Sequence, residues 1–331
     1  MESAATTDRR YYADHAHELK KKLAAQVPTE PLRALHRKRA WRHFVVLGRQ
    51  LLLLGVSTWM LARGGPWWQW VPFALVQGFT VFNFTVMLHE VVHKTVFATG
   101  RPRASRLLAL LYGLPSGIAP SQFRQWHLDH HDQLGSEVLD PKRHYLTPKI
   151  NRRWYKLLYF TPALFPIYFR AAAKENATYA PALRRTIALE RLAASLLHGG
   201  TLAALWVFGS FELAMRVYAI PVFLVFPIAF VINRLGQHYD INPDNVANWS
   251  TLMKSSPFWN FAFLWSNFHL EHHYFPSVPF YNLPRLHRLL RPFYEAEGMK
   301  ARGYGSLLWN HLGRNKRPHS NWGDVREMVV G

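Results

Sequence analysis

Nine of the chain's eighteen histidines fall into a spaced pattern that could hold metal. The first box is His89-Glu90-Val91-Val92-His93. The second is His127-Leu128-Asp129-His130-His131, and the third is His269-Leu270-Glu271-His272-His273. His238 stands alone between the last two, in Gly236-Gln237-His238-Tyr239. On a helix, positions i, i+3 and i+4 share one side, so each box can turn its imidazoles toward one centre. Imidazole suits iron, zinc, copper and nickel. Nine such donors are too many for one tetrahedral zinc, which takes about four. They suit two ions with about four or five nitrogens each.

Other chemistries are open to parts of this pattern. His89-Glu90-x-x-His93 also reads as a zinc-hydrolase motif with Glu90 as base, as in an intramembrane metalloprotease, and Asn242-Pro243-Asp244 would be its second motif. That reading leaves the other seven box histidines without a role. A soluble-type di-iron carboxylate centre needs two Glu-x-x-His pairs, and only Glu90–His93 has that spacing. Metal storage or transport would need a polar path through the apolar segments, which carry too few polar groups.

The elements around the boxes point to a bilayer. Four apolar runs stand out: Phe44–Ala62, Val71–Leu88, Leu192–Phe208 and Ala214–Ile232. At about 1.5 Å rise per residue each comes close to a hydrocarbon core of about 30 Å. The first two are joined by Arg63-Gly64-Gly65-Pro66 and flanked by Trp67, Trp68 and Trp70, which suit the interface. The last two are joined by a turn at Gly209-Ser210. Two hairpins result, and they place residues 1–43, 89–191 and 233–331 on one side. Those segments hold nearly all the Lys and Arg, so that side is expected to be cytoplasmic. All nine box histidines fall on it, although no histidine was used to draw the topology. Leu107–Ala119 is shorter and contains Pro115 and Gly117, and it reads as re-entrant or interfacial. Residues 141–185, basic and aromatic, read as interfacial helices.

Composition agrees. The chain has 331 residues, 49% of them hydrophobic, and a net charge of +20. The basic residues are scattered and form no single stripe, which favours a membrane surface over nucleic acid. There are no cysteines, which removes disulfides, cysteine-ligated clusters and thiolate-ligated haem. The first thirty residues contain no apolar core of a cleaved signal.

From about residue 44 to 295 the chain resembles the membrane fatty-acid desaturase and hydroxylase superfamily, whose pattern is HxxxH, HxxHH, a lone His, then HxxHH. The run His272-His273-Tyr274-Phe275-Pro276-Ser277-Val278-Pro279, then Asn282-Leu283-Pro284, matches too, as does Asp140-Pro141 after the second box. The resemblance implies an all-α integral membrane protein with four transmembrane helices under a cytoplasmic helical cap. It implies two irons held by His89, His93, His127, His130, His131, His238, His269, His272 and His273. A basic arm (1–43), a di-iron domain (44–295) and a polar tail (296–331) would make up the chain. Acyl-CoA desaturases space the first box as HxxxxH and use an asparagine through water near the lone histidine. Asn233 differs in its spacing to His238, so that role is not carried over. The His-Glu-x-x-His-Lys start resembles alkane hydroxylases, whose longer second box is missing here.

By the same resemblance, two ferrous ions would reduce O₂ to an oxidant that removes hydrogen from an unactivated C–H bond. Two removals give an alkene, and oxygen rebound gives an alcohol. The leading reading is therefore an O₂-dependent non-haem di-iron oxidoreductase that desaturates a fatty acyl or other lipid chain. A hydroxylase or ketolase acting on a lipid, carotenoid or alkane is the alternative, and the zinc metalloprotease the remote one. Electrons must come from a separate ferredoxin or small cytochrome with its reductase, and a basic face would attract an acidic carrier. Glu90, Asp129, Asp132, Asp140, Asn267 and Glu271 are candidates to receive the outer N–H of the histidines. Trp126 is expected to pack beside the site. His198 lies mid-span and is either functional or a helix-packing residue. His144, His287 and His311 are expected at the surface or behind the ligands.

Overall fold

The computed structural model describes residues 10–136, 139–142, 147–148, 150–239, 241–242 and 244–316. Among them the secondary structure is helical, with turns and one isolated bridge between Met253 and Arg302. His144, Pro243 of the Asn242-Pro243-Asp244 motif, and the tail beyond residue 316 lie outside the described residues.

Three helices are long and apolar enough to cross a membrane: Ala40–Arg63, Trp67–Val92 and Phe211–His238. The first two pair across Gly64 and Gly65, both with positive φ (72° and 106°), a turn that residues with a Cβ would resist. Trp67 and Trp68 are exposed at that end, and Leu51, Leu52, Val56 and Trp59 cover the outer face of the first helix. Phe211–His238 widens into π-helical turns from Met215 to Val225. Pro221 lies inside this stretch, and its missing N–H cannot close an ordinary turn.

One buried amide ties the three helices together. Ser57 Oγ and Thr58 Oγ1 each donate to Gln77 Oε1 at 3.1 Å, and Gln77 Nε2 donates to the Val217 carbonyl at 2.5 Å. In hydrocarbon such polar groups find partners on one another. Immediately after Gln77, Gly78 lets the helices touch. A Cβ there would sit 2.4 Å from the Val225 side chain and 2.7 Å from the Pro221 carbonyl. Gly78→Leu is therefore expected to destabilise the fold by at least about 3 kcal/mol, at the upper end of overpacking costs. Gly48→Leu, which meets nothing within 4 Å, should leave the thermal midpoint in detergent unchanged. Equal midpoints for both variants would refute this packing.

The third apolar run is not a separate helix. It is the second half of Pro181–Val207, whose first half carries Arg184, Arg185, Glu190 and Arg191. The apolar stretch starts only at Leu192 and contains His198, Gly199 and Gly200. This helix, at 27 residues, is long enough but falls short of the apolarity that the other three reach. Its charged half instead supports the second box. Glu190 is buried and accepts from Ser121 N (2.8 Å), Ser121 Oγ (2.7 Å) and Arg106 Nη1 (2.5 Å), while Arg191 Nη2 donates to Gln122 Oε1 at 2.6 Å. His198 has the packing role. Its Nε2 donates to the Leu114 carbonyl at 2.9 Å, and Tyr218 OH meets its Nδ1.

Candidate metal centre

The boxes lie at helix ends. His89 and Glu90 occupy the last turn of Trp67–Val92, and His93 caps it. His127, His130 and His131 project from Pro120–Gln133, His238 ends Phe211–His238, and the third box is the short helix His269–Tyr274. That last helix is too short to stand alone. It is held by burial of all three histidines, and by Glu271, which accepts from Tyr294 OH at 2.8 Å and from His287 Nδ1.

The nine histidines converge into two groups. His89, His93, His127, His131 and His272 form one, and His130, His238, His269 and His273 form the other. Within each group the nitrogen atoms lie within 4.8 Å of one another. In the first, Nε2 of His272 lies 3.0 Å from Nε2 of both His89 and His131, and His131 lies 3.0 Å from His127. In the second, Nε2 of His238 lies 3.0 Å from His130 and 3.1 Å from His269, which lies 3.1 Å from His273. The groups adjoin, with the His131 and His273 rings stacked at 4.3 Å.

The donor chemistry fits metal. His130 gives its Nδ1–H to Asp140 Oδ1 at 2.8 Å, and His238 gives its own to the Trp249 carbonyl at 2.9 Å. Their Nε2 atoms then carry bare lone pairs that face each other across 3.0 Å. Two lone pairs so placed repel unless a cation lies between them. Adjacent ligands at right angles on an ion with bonds of about 2.1 Å are separated by about 3.0 Å. Burial first, and neighbouring positive groups second, push His127, His131, His269, His272 and His273 well below the ordinary imidazole pKa. They are neutral at physiological pH, the state that binds metal.

Of the six proposed outer partners, Asp140 takes the outer N–H of a box histidine at 2.8 Å. Glu90 reaches His89 Nδ1 with Oε1 at 3.4 Å, while its Oε2 accepts from Thr95 Oγ1 (2.6 Å) and Phe280 N (2.9 Å). Asp129 accepts from Gln125 Nε2, Asp132 faces Arg10, Asn267 donates to Asn260, and Glu271 serves Tyr294 and His287. The Trp249 carbonyl was missed because a backbone partner leaves no mark on the residue type. Trp126 is buried and stacks on Tyr168. His287 sits behind the third box, as expected, whereas His311 is buried and its ring lies against Tyr239, so it is no surface group.

Glu90 also tests the protease alternative. A hydrolytic base needs an oxygen free for the metal-bound water, and Glu90, although it borders the cavity, has Oε2 accepting from Thr95 and Phe280 and Oε1 beside His89 Nδ1. Glu90→Gln is expected to keep full metal content and to lose about 1–2 kcal/mol of stability from its buried bonds. Complete loss of activity with stability unchanged would point back to the protease.

A cavity of about 110 Å³ opens beside both groups. Its walls include His89, His127, His269 and His272, with Phe82, Val86, Ile118, Phe123, Phe230 and Phe280 as the apolar part. Asn233 lines it too. Its Nδ2 donates to Ser266 Oγ at 2.7 Å, and its Oδ1 accepts from Gln237 Nε2 at 2.9 Å.

Fold and site together define a helical protein with three candidate membrane spans and two adjoining all-imidazole groups able to hold metal beside an apolar cavity. Comparison with known proteins narrows the class. The profile described as "Fatty acid desaturase" matches residues 65–305, and the chain belongs to this family of lipid-modifying oxidoreductases. The sphingolipid delta(4)-desaturase/C4-monooxygenase DES2 of Bos taurus is 29% identical over 301 residues, covering 86% of this chain and 84% of its own length. The Homo sapiens DES2 gives the same identity and coverage. The sphingolipid delta(4)-desaturase of Candida albicans is 24% identical over 287 residues, covering 80% of this chain and 74% of its own. The remote protease alternative falls with this family assignment.

Proposed function

We propose that the protein is an O₂-dependent di-iron desaturase that acts on a sphingolipid chain. The observation that carries this reading is the pair of imidazole groups, five and four, set beside an apolar cavity. His89, His93, His127, His131 and His272 would hold one iron, and His130, His238, His269 and His273 the other. Iron so held would supply activation of O₂ for removal of hydrogen from a saturated C–H bond. The protein's own residues do the rest. Asp140 and the Trp249 carbonyl fix the rings of His130 and His238 with Nε2 inward. The phenylalanine walls hold the chain and keep bulk water out. The substrate class comes from the relatives, whose names pair delta(4)-desaturation with C4 oxygenation in DES2.

Pro181–Val207 would serve as the fourth span, with local thinning or tilt making up its short apolar half. The centre and both termini would face the cytoplasm, where a ferredoxin or small cytochrome with its reductase supplies electrons. Residues 1–43 would form a basic arm, 44–295 the di-iron domain and 296–331 a polar tail. The test is expression in a host without sphingolipid desaturation, followed by mass spectrometry of the ceramides. A new double bond or hydroxyl in the long-chain base is the expected product. New unsaturation confined to ordinary acyl lipids would overturn the substrate assignment.

A further inference from the structure

One cation in the cavity wall has no task in the metal centre. Lys142 lines the cavity together with His89, His127, His269 and His272. Its main chain is pinned on both sides. The N–H donates to Asp140 Oδ1 at 3.0 Å, and the carbonyl accepts from Arg234 Nη2 at 2.8 Å. The backbone of Lys142 is therefore held at the cavity wall. Among the described residues, no hydrogen-bond acceptor meets its ammonium. The nearby carboxylates are engaged, Asp140 by His130 and Glu90 by Thr95 and Phe280.

Burial, with Arg234 beside it, pushes the pKa of the Lys142 amine down to about 7 against the opposing pull of Asp140, so a charge facing this largely apolar cavity is costly. A hydrocarbon chain filling that cavity would leave the cost in place, whereas a substrate oxygen would remove it. We propose that Lys142 binds the oxygen substituent of the lipid nearest the reacting carbon, a hydroxyl or amide oxygen, and so confines oxidation to carbons close to the polar end. This deepens the sphingolipid reading and rests on it. A long-chain base carries its hydroxyl on carbon 3, next to carbon 4. Desaturation in the middle of a long acyl chain would instead place plain methylenes against the ammonium. Ser266 borders the same wall, and its hydroxyl, which accepts from Asn233, keeps its own hydrogen for a second contact.

The test is a competition in membranes containing the full-length, iron-loaded protein. A dihydroceramide and its 3-deoxy analogue are supplied together, and the product ratio gives the ratio of kcat/KM without regard to expression level. The wild type is expected to favour the hydroxylated lipid by about 10- to 100-fold, the range of a hydrogen bond to a charged group. In Lys142→Met that preference should collapse toward unity, and Lys142→Arg should keep part of it. Iron content, measured in parallel, should be unchanged in both variants. If Lys142→Met fails to fold, Lys142→Leu, which also lacks a donor, replaces it with the same expectation. Retention of the full preference by a folded, iron-replete Met or Leu variant would overturn the role of Lys142. Oxidation of a different lipid class near its polar end would refute the sphingolipid reading and leave Lys142 standing. Mid-chain oxidation would refute both.

Discussion

His272→Ala is expected to lower lipid product formation by well over about 100-fold and to reduce bound iron from two per chain to about one. Loss of a partner behind a ligand already costs about 10- to 100-fold, and His272 is placed as a ligand. Its Nε2 lies 3.0 Å from both His89 and His131, so it closes the first group. Its removal also enlarges the cavity that His272 lines and exposes a buried helix, because all three histidines of His269–Tyr274 are buried. Iron content and mass-spectrometric product yield on detergent-purified protein check the result, with gel filtration to show that the fold persists. A folded His272→Ala protein with near-normal product would remove the first group from the account.

Asp140→Ala should weaken metal binding by about 100-fold, and Asp140→Asn by about tenfold, since asparagine can still present an oxygen to His130. The effect should fall on the iron of the second group, because Asp140 Oδ1 orients His130 alone among the nine. Asp129→Asn, whose carboxylate faces Gln125, should leave metal affinity within about twofold. Titration with a chelator, read as iron released per chain, separates the cases. Equal losses in Asp129→Asn and Asp140→Asn would mean that the partner has been misassigned.

These contrasts mark how far the sequence could be read. The boxes, their nine members and the three clear spans were legible, since helical periodicity and apolar length leave direct traces. The division of the histidines between two groups was not drawn, yet helix geometry explains it. Successive residues are turned by about 100°, so i+3 and i+4 diverge. In both HxxHH boxes, i and i+4 fall together (His127 with His131, His269 with His273), while i+3 (His130, His272) goes to the other group. Most acidic residues inside the boxes misled because closeness in sequence does not set direction. Glu271 turns away to brace Tyr294 and Asp129 faces Gln125, Glu90 divides its oxygens between His89 Nδ1 and Phe280 N, and Asp140, ten residues from His130, returns to it. Pro181–Val207 was read as a shorter run because its first half is charged, and those charges hold the second box in place. Lys142 carried no signal at all. Its place depends on main-chain bonds to Asp140 and Arg234.

The proposed di-iron centre places one iron in each imidazole group. Metal content of the purified protein tests it directly, measured beside a His130→Ala, His272→Ala double variant that removes one donor from each group. The account predicts about two irons per wild-type chain, largely lost in the double variant. One zinc per chain, unaffected by that variant, would contradict it.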